Sequence, residues 1–299
     1  MADVVGTDRN DLITVAAVSA GVTGQPLDNE SNTITGALGN DRLEGGNGDD
    51  FIFGELLDTT GVLKYGADRI SGGDGDDAIS GDSFALTAGA KGGKDVIDGG
   101  DGNDSLYGDA GETMTGATGG ADAIYGGDGD DVIYGDAVTM DGGRGGADKL
   151  FGGNGNDILW GDAESLGNGA IGGNDTIDGG AGDDLINGNG GRDKLTGGDG
   201  ADTFYFNLGS GRDQILDFDT TEGDVLNLST LFDSTTTNFA SIDTNADGFL
   251  GAGDTGVTVK GSNMTIDLGV MFGTASAKVD SIVMKGVTSI GEANISDVL

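Results

Sequence analysis

Large apolar residues recur along the middle of the chain in short segments, each flanked by small or polar residues. In Val132-Ile133-Tyr134, for example, an extended backbone points Ile133 to one side and its two neighbours to the other. Each segment follows an Asp and is bounded by Gly-rich turns, which predicts many short strands with one inward residue each. The predicted inward residues are Leu43, Ile52, Ile70, Ile79, Ile97, Leu106, Ile124, Ile133, Leu150, Leu159, Ile177, Ile186, Leu195 and Phe204.

These segments belong to a nine-residue repeat. Residues 126–134 read Gly-Gly-x-Gly-x-Asp-x-U-x, with U a large apolar residue, and the same pattern begins at 45, 72, 99, 152, 179 and 197. A looser turn precedes each copy, so that Asp122, for example, lies nine residues before Asp131. Most coils span about 27 residues because extra residues follow Gly-Asp at 81–82, 108–109, 135–136 and 161–162. The spacing predicts a solenoid with two turns per coil and inserted loops along one edge.

The nonapeptide resembles the repeat of the RTX (repeats-in-toxin) family, whose repeats wind into a calcium-loaded parallel β-roll. The resemblance implies Ca²⁺ sites shared between successive coils on both edges, with the sixth-position Asp as a main side-chain ligand. The implied aspartates are Asp41, Asp50, Asp68, Asp77, Asp95, Asp104, Asp122, Asp131, Asp148, Asp157, Asp175, Asp184, Asp193 and Asp202. Turn glycines at the first and fourth positions are candidates for carbonyl ligation: Gly45, Gly48, Gly72, Gly75, Gly99, Gly102, Gly126, Gly129, Gly152, Gly155, Gly179, Gly182, Gly197 and Gly200.

Electrostatics gives an independent reason to expect a metal. Stacked coils lie about 4.8 Å apart, and at an effective dielectric constant of about 20 two carboxylates at that spacing repel by roughly 3 kcal/mol. A hard cation between the coils reverses the sign of this interaction, and Ca²⁺ accepts six to eight oxygen ligands in flexible geometry whereas Mg²⁺ demands a strict octahedron. The alternative is that each Asp merely caps its turn through an Asx hydrogen bond.

Composition narrows the function classes. The 299 residues include 63 Gly and carry a formal charge of −38, which disfavours nucleic acid and anionic membranes as partners. The chain has no Cys for disulfides and no His for zinc ligation or for a Ser–His or Cys–His nucleophile. No apolar run is long enough to span a bilayer, and residues 1–4 show no Sec-type signal.

The last third of the chain loses the Gly repeat and becomes more apolar. Residues 204–206, 214–218, 225–228, 257–260, 264–268 and 281–284 are predicted strands. Residues 200–229 are similar to the C-terminal domain of serralysin-type RTX proteins, which caps the roll and carries a type I secretion signal. We therefore divide the chain into an N-terminal cap (1–35), an RTX β-roll (36–205) and a β-rich C-terminal cap and secretion region (206–299).

The C-terminal region also contains a second calcium motif. Residues 243–254 match an EF-hand-like loop, with oxygen side chains at positions one, three and five, Gly at six and an acid at twelve. Asp rather than Glu at position twelve weakens bidentate ligation, and a plain acidic loop is the alternative. The predicted ligands are Asp243, Asn245, Asp247, the carbonyl of Phe249 and Asp254.

The ninth position of the motif is predicted to point outward, which places Phe53, Tyr107, Tyr134, Trp160 and Tyr205 on one face. Stacked aromatics favour a binding surface for glycans or a partner. The alternative is that the inserts fold over this face with their own apolar residues, namely Phe84, Leu86, Met114, Met140 and Leu166.

The combined prediction is a calcium-binding protein without enzymatic activity, because the His pair of the serralysin zinc site is missing and little chain remains for a catalytic domain. The resemblance implies export from a Gram-negative bacterium by the type I machinery, folding in extracellular calcium, and a structural role in a surface layer, filament or biofilm through self-assembly. A glycan-binding adhesin and a secretion or folding carrier are the alternatives; an ice-binding roll is disfavoured because no flat Thr ladder recurs.

Overall fold

A computed structural model describes residues 2–7, 9–14, 23–24, 29–55, 64–207, 209–231, 249–271 and 281–296. Across these residues the chain is strand and turn, apart from a single-turn helix, α1 (Leu268–Met271), and two 3-10 turns at Ser229–Leu231 and Glu292–Asn294. No helix in the described ranges has the length and apolar character needed to span a bilayer. The predicted all-β class is therefore confirmed.

Two long sheets run side by side along the molecule. The described strands of the first sheet, all parallel to their neighbours, are β1 (Ala2–Val5), β3 (Asn32–Thr35), β5 (Phe51–Phe53), β7 (Ala78–Ser80), β10 (Ser105–Tyr107), β13 (Val132–Tyr134), β16 (Ile158–Trp160), β19 (Leu185–Asn187), β21 (Thr203–Tyr205), β23 (Val225–Asn227) and β29 (Ile295–Ser296). Those of the second sheet are β2 (Leu12–Ile13), β4 (Arg42–Asn47), β6 (Arg69–Asp74), β9 (Val96–Asp101), β12 (Ala123–Asp128), β15 (Lys149–Asn154), β18 (Thr176–Ala181), β20 (Lys194–Asp199), β22 (Arg212–Ile215), β27 (Ser281–Met284), β26 (Asn263–Asp267) and β25 (Val257–Lys260).

Each coil contributes one strand to each sheet, which is the predicted parallel β-roll. The chain turns from the second sheet into the first at the fourth-position glycine, where Gly75 has φ 131° and Gly48 φ 109°. A side chain is strained in this left-handed region, so glycine is required at the corner. In-register stacking follows, with Ile79 opposite Leu106 and Leu106 opposite Ile133.

The core is a continuous column of apolar side chains between the two sheets. Every inward residue predicted from the alternation lies in this column and is at most 2 % exposed. Parallel sheets require both faces to be covered, and a roll covers the inner face of one sheet with the other. The prediction of two buried apolar side chains per coil is thus confirmed.

The inserted loops form a third sheet, which we call the insert sheet. It consists of the parallel strands β8 (Ser83–Leu86), β11 (Ala110–Thr115), β14 (Ala137–Asp141) and β17 (Ala163–Gly167). Leu86, Met114 and Met140 are buried with small residues such as Ala110 and Ala137 in a second, separate core. Phe84 and Leu166 remain exposed. The inserts therefore pack mainly among themselves, rather than folding over the outward aromatics with all their apolar residues.

The C-terminal strands extend the two sheets instead of forming a detached layer. β22 pairs in parallel with β20, and β23 pairs in parallel with β21. The second sheet then ends in the antiparallel pairs β27–β26 and β26–β25, and β24 (Phe249–Gly251) pairs with β28 (Ser289–Gly291). The predicted boundary at 205/206 coincides with the end of the glycine repeat, while strand pairing continues across it; the division into three domains stays a prediction.

Candidate metal sites

The sixth-position aspartates form two straight rows. We call the edge where the chain passes from the second sheet to the first the plain edge, and the edge where it returns through the insert sheet the insert edge. The plain-edge row is Asp50, Asp77, Asp104, Asp131, Asp157, Asp184 and Asp202, and the insert-edge row is Asp41, Asp68, Asp95, Asp122, Asp148, Asp175 and Asp193. All fourteen side chains are at most 3 % exposed.

One oxygen of each carboxylate joins successive coils. The backbone N–H of Asp50 donates to Oδ1 of Asp77 at 2.7 Å, and the N–H of Asp77 donates to Oδ1 of Asp104 at 2.8 Å. The same bond is made by every member of both rows, at 2.6–3.0 Å. This accounts for Oδ1 and fixes the direction of the second oxygen.

The second oxygen, Oδ2, has no hydrogen-bond partner in any of the fourteen side chains and is buried in all of them. A buried carboxylate oxygen without a donor is strongly unfavourable, and exceptions to hydrogen-bond satisfaction point to an ion or a water. Fourteen exceptions at one repeat position are far more than a native structure tolerates by chance. The rows therefore fit a bound cation.

The first-position glycine explains where that cation fits. A Cβ built on Gly99 would collide with Oδ2 of Asp104 and lie 2.6 Å from the carbonyl oxygen of Gly126. On the insert edge the equivalent glycine opens the looser turn: a Cβ on Gly108 would lie 2.7 Å from Oδ2 of Asp122 and collide with the carbonyl oxygen of Gly135. The space above each such glycine is thus bordered by a carboxylate oxygen and by a carbonyl oxygen of the next coil, which are Ca²⁺ ligands.

Backbone oxygens must supply much of any coordination shell. No three acidic side chains converge as a metal cluster in the described ranges, whereas Ca²⁺ takes six to eight oxygens. First-position carbonyls such as that of Gly72 border the space beside Oδ2 of Asp50, while the fourth-position carbonyl of Gly48 faces Gly75 of the next coil. The assignment of individual ligands stays a prediction.

Burial disfavours the charged form of these carboxylates. On the plain edge desolvation raises the pKa of Asp104 to about 6 and that of Asp131 to about 7. On the insert edge desolvation raises the pKa of Asp68 to about 8, and it raises the pKa of Asp122 well above its usual value, with repulsion from Asp95 adding to the effect. At neutral pH the rows need either protons or cations to stay buried.

Sequence reasoning missed the residues that continue the rows. Oδ1 of Asp41 accepts the N–H of Asp11, Oδ1 of Asp213 accepts the N–H of Asp193, and Oδ1 of Asp224 accepts the N–H of Asp202. A signal for Asp213 is visible in the sequence, since residues 209–215 read Gly-x-Gly-x-Asp-x-Ile and lack only the first glycine of the motif, which Leu208 replaces. Asp224 follows a single Gly, so only strand pairing identifies it.

The EF-hand-like loop is only partly observable. Asp243, Asn245 and Asp247 lie outside the described residues. Phe249 begins β24, and Asp254 is 5 % exposed with Oδ2 accepting the N–H of Gly251 at 2.9 Å. The second calcium site stays a prediction.

The outward aromatic face is only partly covered. The rings of Tyr107 and Tyr134 stack at 5.3 Å, and Tyr134 is buried, as are the ninth-position residues Ser80 and Asn187. A groove of about 180 Å³ beside them is lined by Phe51, Phe53, Ala78, Ile79, Ser80, Phe84, Tyr107 and Gly111. The inserts therefore narrow this face to a groove instead of sealing it.

Filling the space above a first-position glycine tests whether a cation binds there. Gly99→Ala places a methyl group against Oδ2 of Asp104 and the carbonyl of Gly126. We expect this variant to lose about 2 kcal/mol or more of unfolding free energy in calcium and to need a higher calcium concentration to fold, measured by calcium titration with circular dichroism.

Gly111→Ala is the matched control, because its added Cβ finds only ordinary van der Waals neighbours, the side chains of Phe84, Ser80 and Phe53 at 3.9–4.0 Å. Because no neighbouring atom has to move, this half-buried variant is expected to stay within about 0.5 kcal/mol of the parent. Equal calcium midpoints for the two variants would contradict a cation site in the space above Gly99.

Comparison with known proteins agrees with this geometry. A model of the RTX calcium-binding nonapeptide repeat, four copies long, matches residues 28–58, 64–85, 90–112, 117–137, 142–165, 170–204 and 179–215. No curated protein matches the chain with significance. The matched segments cover more than half of the chain and include both rows of aspartates from Asp41 to Asp202.

Proposed function

The chain belongs to the RTX family of calcium-binding repeat proteins, and on that premise we propose that it is an exported protein whose roll folds in extracellular calcium and serves as a structural component of a cell surface or matrix. The observation that carries this proposal is the set of fourteen buried, unpartnered Oδ2 atoms at one repeat position. At neutral pH they make folding conditional on a divalent cation.

Folding that depends on calcium supports export from the cell. The chain carries a formal charge of −38, so in a calcium-poor cytoplasm repulsion between its coils keeps it extended. Outside the cell, calcium at about millimolar concentration is sufficient for the weaker class of extracellular calcium modules. Binding at many sites then adds up, because each filled site stabilises the folded state further.

The ends of the roll support a structural role. β1 and β29 are the outermost strands of the first sheet within the described residues, and β2 is outermost at the N-terminal end of the second sheet. Edge strands present unpaired N–H and C=O groups that pair with another chain unless they are covered. Stacking of rolls end to end would continue the parallel pairing of the first sheet.

Electron microscopy and sedimentation with calcium test the structural role. We expect calcium to convert an extended monomer into filaments or sheets, and we expect excess EGTA to reverse the assembly. The control is the same protein in magnesium at equal ionic strength, which separates specific ligation from simple charge screening. Compact monomers at every protein concentration in calcium would overturn the structural role.

A calcium-dependent adhesin is the second candidate. The observation that favours it is the aromatic groove, in which Phe51 is 48 % and Phe84 is 49 % exposed. Exposed aromatic clusters are typical of binding surfaces. A calcium-loaded monomer that is retained on a glycan array, and released when Phe84 is changed to Ala, would favour the adhesin over the assembly.

A further inference from the structure

A third row of acids lies on the insert edge, outside the nonapeptide pattern. It consists of Glu55, Asp82, Asp109, Asp136 and Asp162, each directly after the glycine that opens an insert-edge turn, as Asp109 follows Gly108. The four aspartates are 0 % exposed and Glu55 is 1 % exposed. Neither the repeat motif nor the alternation of apolar residues assigns these side chains a role.

The acids of this row stack in register from coil to coil. The N–H of Asp82 donates to the carbonyl of Asp109 at 3.0 Å, and the N–H of Asp109 donates to the carbonyl of Asp136 at 3.1 Å. Insert glycines hold the carboxylates from one side, since the N–H of Gly120 contacts both oxygens of Asp109 at 2.9 and 3.0 Å. The carboxylates are thus fixed rather than free to turn away from one another.

Oxygens from successive coils share the space above the insert glycines. A Cβ on Gly119 would lie 2.6 Å from Oδ2 of Asp109 and collide with Oδ1 of Asp136. A Cβ on Gly145 would lie 2.5 Å from Oδ2 of Asp136 and collide with Oδ1 of Asp162. Two carboxylate oxygens therefore face each space.

The space above Gly92 repeats this arrangement. A Cβ there would lie 2.9 Å from Oδ2 of Asp82 and collide with Oδ1 of Asp109. Asp109 consequently contributes one oxygen to the space above Gly92 and the other to the space above Gly119. Each carboxylate inside the row bridges two neighbouring spaces.

Two carboxylate oxygens without hydrogen-bond partners indicate a bound ligand, and they do so independently of the close spacing of the acids. Oδ2 of Asp136 is buried without a hydrogen-bond partner and borders the space above Gly145. Oε2 of Glu55, at the N-terminal end of the row, is likewise buried and unpartnered. A fully buried carboxylate oxygen with no donor is stabilised by a cation or by a proton.

In the sequence, the acids of the third row occur together with the inserts. All five coils that carry an insert have an acid after the glycine that opens the insert-edge turn, whereas the turns without an insert have Thr7, Ala37 or Asn189 there. Asn189 ends the row as a neutral group, with Oδ1 accepting the N–H of Asp162 at 3.1 Å and that of Ala163 at 3.0 Å. The acid therefore occurs where an insert follows and is absent where none does, which links these side chains to the inserts.

We propose that the insert edge carries an additional row of Ca²⁺ sites, above Gly92, Gly119 and Gly145, in which carboxylates of successive coils from Asp82 to Asp162 bind the ion between them. This row is separate from the sites of the sixth-position aspartates. The proposal rests on the calcium-dependent folding proposed above. Its ions attach the insert sheet to the roll, because Asp109 borders the site above the insert residue Gly119 and also accepts the N–H of the adjacent Gly120.

The positions of bound ions give the first test. Crystals of the whole chain grown in calcium are expected to show anomalous density above Gly119 and Gly145, about 2.3–2.6 Å from the facing carboxylate oxygens. Density at the sixth-position rows without density above these glycines would overturn the additional row, while leaving the proposed function intact. In that outcome the acids of the third row share protons.

Stoichiometry gives the second test. Asp109→Asn removes a charge from the spaces above Gly92 and Gly119, and we expect about two fewer bound calcium ions per chain by flow dialysis, with the β spectrum in saturating calcium retained. The matched control is Asp130→Asn, an exposed residue whose Oδ1 accepts only the N–H of Asn156 among the hydrogen bonds described for it. Equal stoichiometry for the folded variant and the control would overturn the proposal. If Asp109→Asn does not fold, the wild-type anomalous map decides.

Discussion

Removing calcium at neutral pH is expected to unfold the β-roll and abolish most of the β signal in far-ultraviolet circular dichroism. Each filled site contributes about 2.7 kcal/mol when calcium is at a hundred times its dissociation constant. Five such sites would together contribute about 14 kcal/mol, which matches the entire unfolding free energy of an ordinary domain, about 5–15 kcal/mol. The fourteen buried Oδ2 atoms offer more candidate positions than that, so we expect the folded state to have no stability left at neutral pH without its ions.

Excess EGTA followed by small-angle X-ray scattering checks the same prediction through chain dimensions, which should expand toward those of an unfolded chain. Returning calcium should restore the compact form, whereas magnesium at the same concentration should not, because its octahedral shell fits carbonyl-rich, flexible sites poorly. A complete β spectrum in excess EGTA at neutral pH would refute calcium-dependent folding and the export argument that depends on it.

Acidifying the calcium-free chain is expected to restore β structure. Burial raises the folded-state pKa of Asp104 and Asp157 to about 6 and that of Asp77 to about 7, all from a usual value of 3.8. Between about pH 4 and pH 7 the folded chain therefore binds more protons than the unfolded chain. Its unfolding free energy rises as the pH falls through this window and is lost as the pH rises through the folded-state pKa values.

The measurement is a pH titration in EGTA by circular dichroism, with light scattering recorded in parallel because loss of net charge promotes association. Recovery of β signal near pH 5 without scattering, together with a near-ultraviolet spectrum like that of the calcium form, is the expected result. A chain that stays unfolded down to pH 4 would show that protons cannot replace the cations, and that backbone ligation rather than charge neutralisation holds the roll.

The repeat pattern was sufficient to predict the fold because each nine-residue copy contains the residues that determine its own conformation. Each nonapeptide carries its own corner glycine, its Asp and its inward residue, so Ile79 and Leu106 could be placed in the core without knowledge of any other coil. The same locality explains what was missed. Asp213 and Asp224 extend the rows through pairing with earlier coils, and their own segments lack the full glycine motif.

The inserts show the limit of local reasoning most clearly. Leu86, Met114 and Met140 recur at similar offsets, which suggested a cover for the aromatic face, yet they pack with alanines in a core of their own. The offset indicated that the inserts are equivalent to one another. It did not indicate which face of each short strand turns toward the roll, because that depends on pairing between inserts about 27 residues apart.

The amino-acid sequence alone determined the solenoid, its two strands per coil, its buried column and the two rows of sixth-position aspartates, because these follow from a pattern repeated within nine residues. Only the tertiary structure decided which carboxylate oxygen bonds to the neighbouring coil and which one stays buried without a donor. It also revealed the third acidic row and the reason for the first-position glycine. Those features arise from atoms of different coils brought to one point, and stacking creates that proximity although no single repeat contains it.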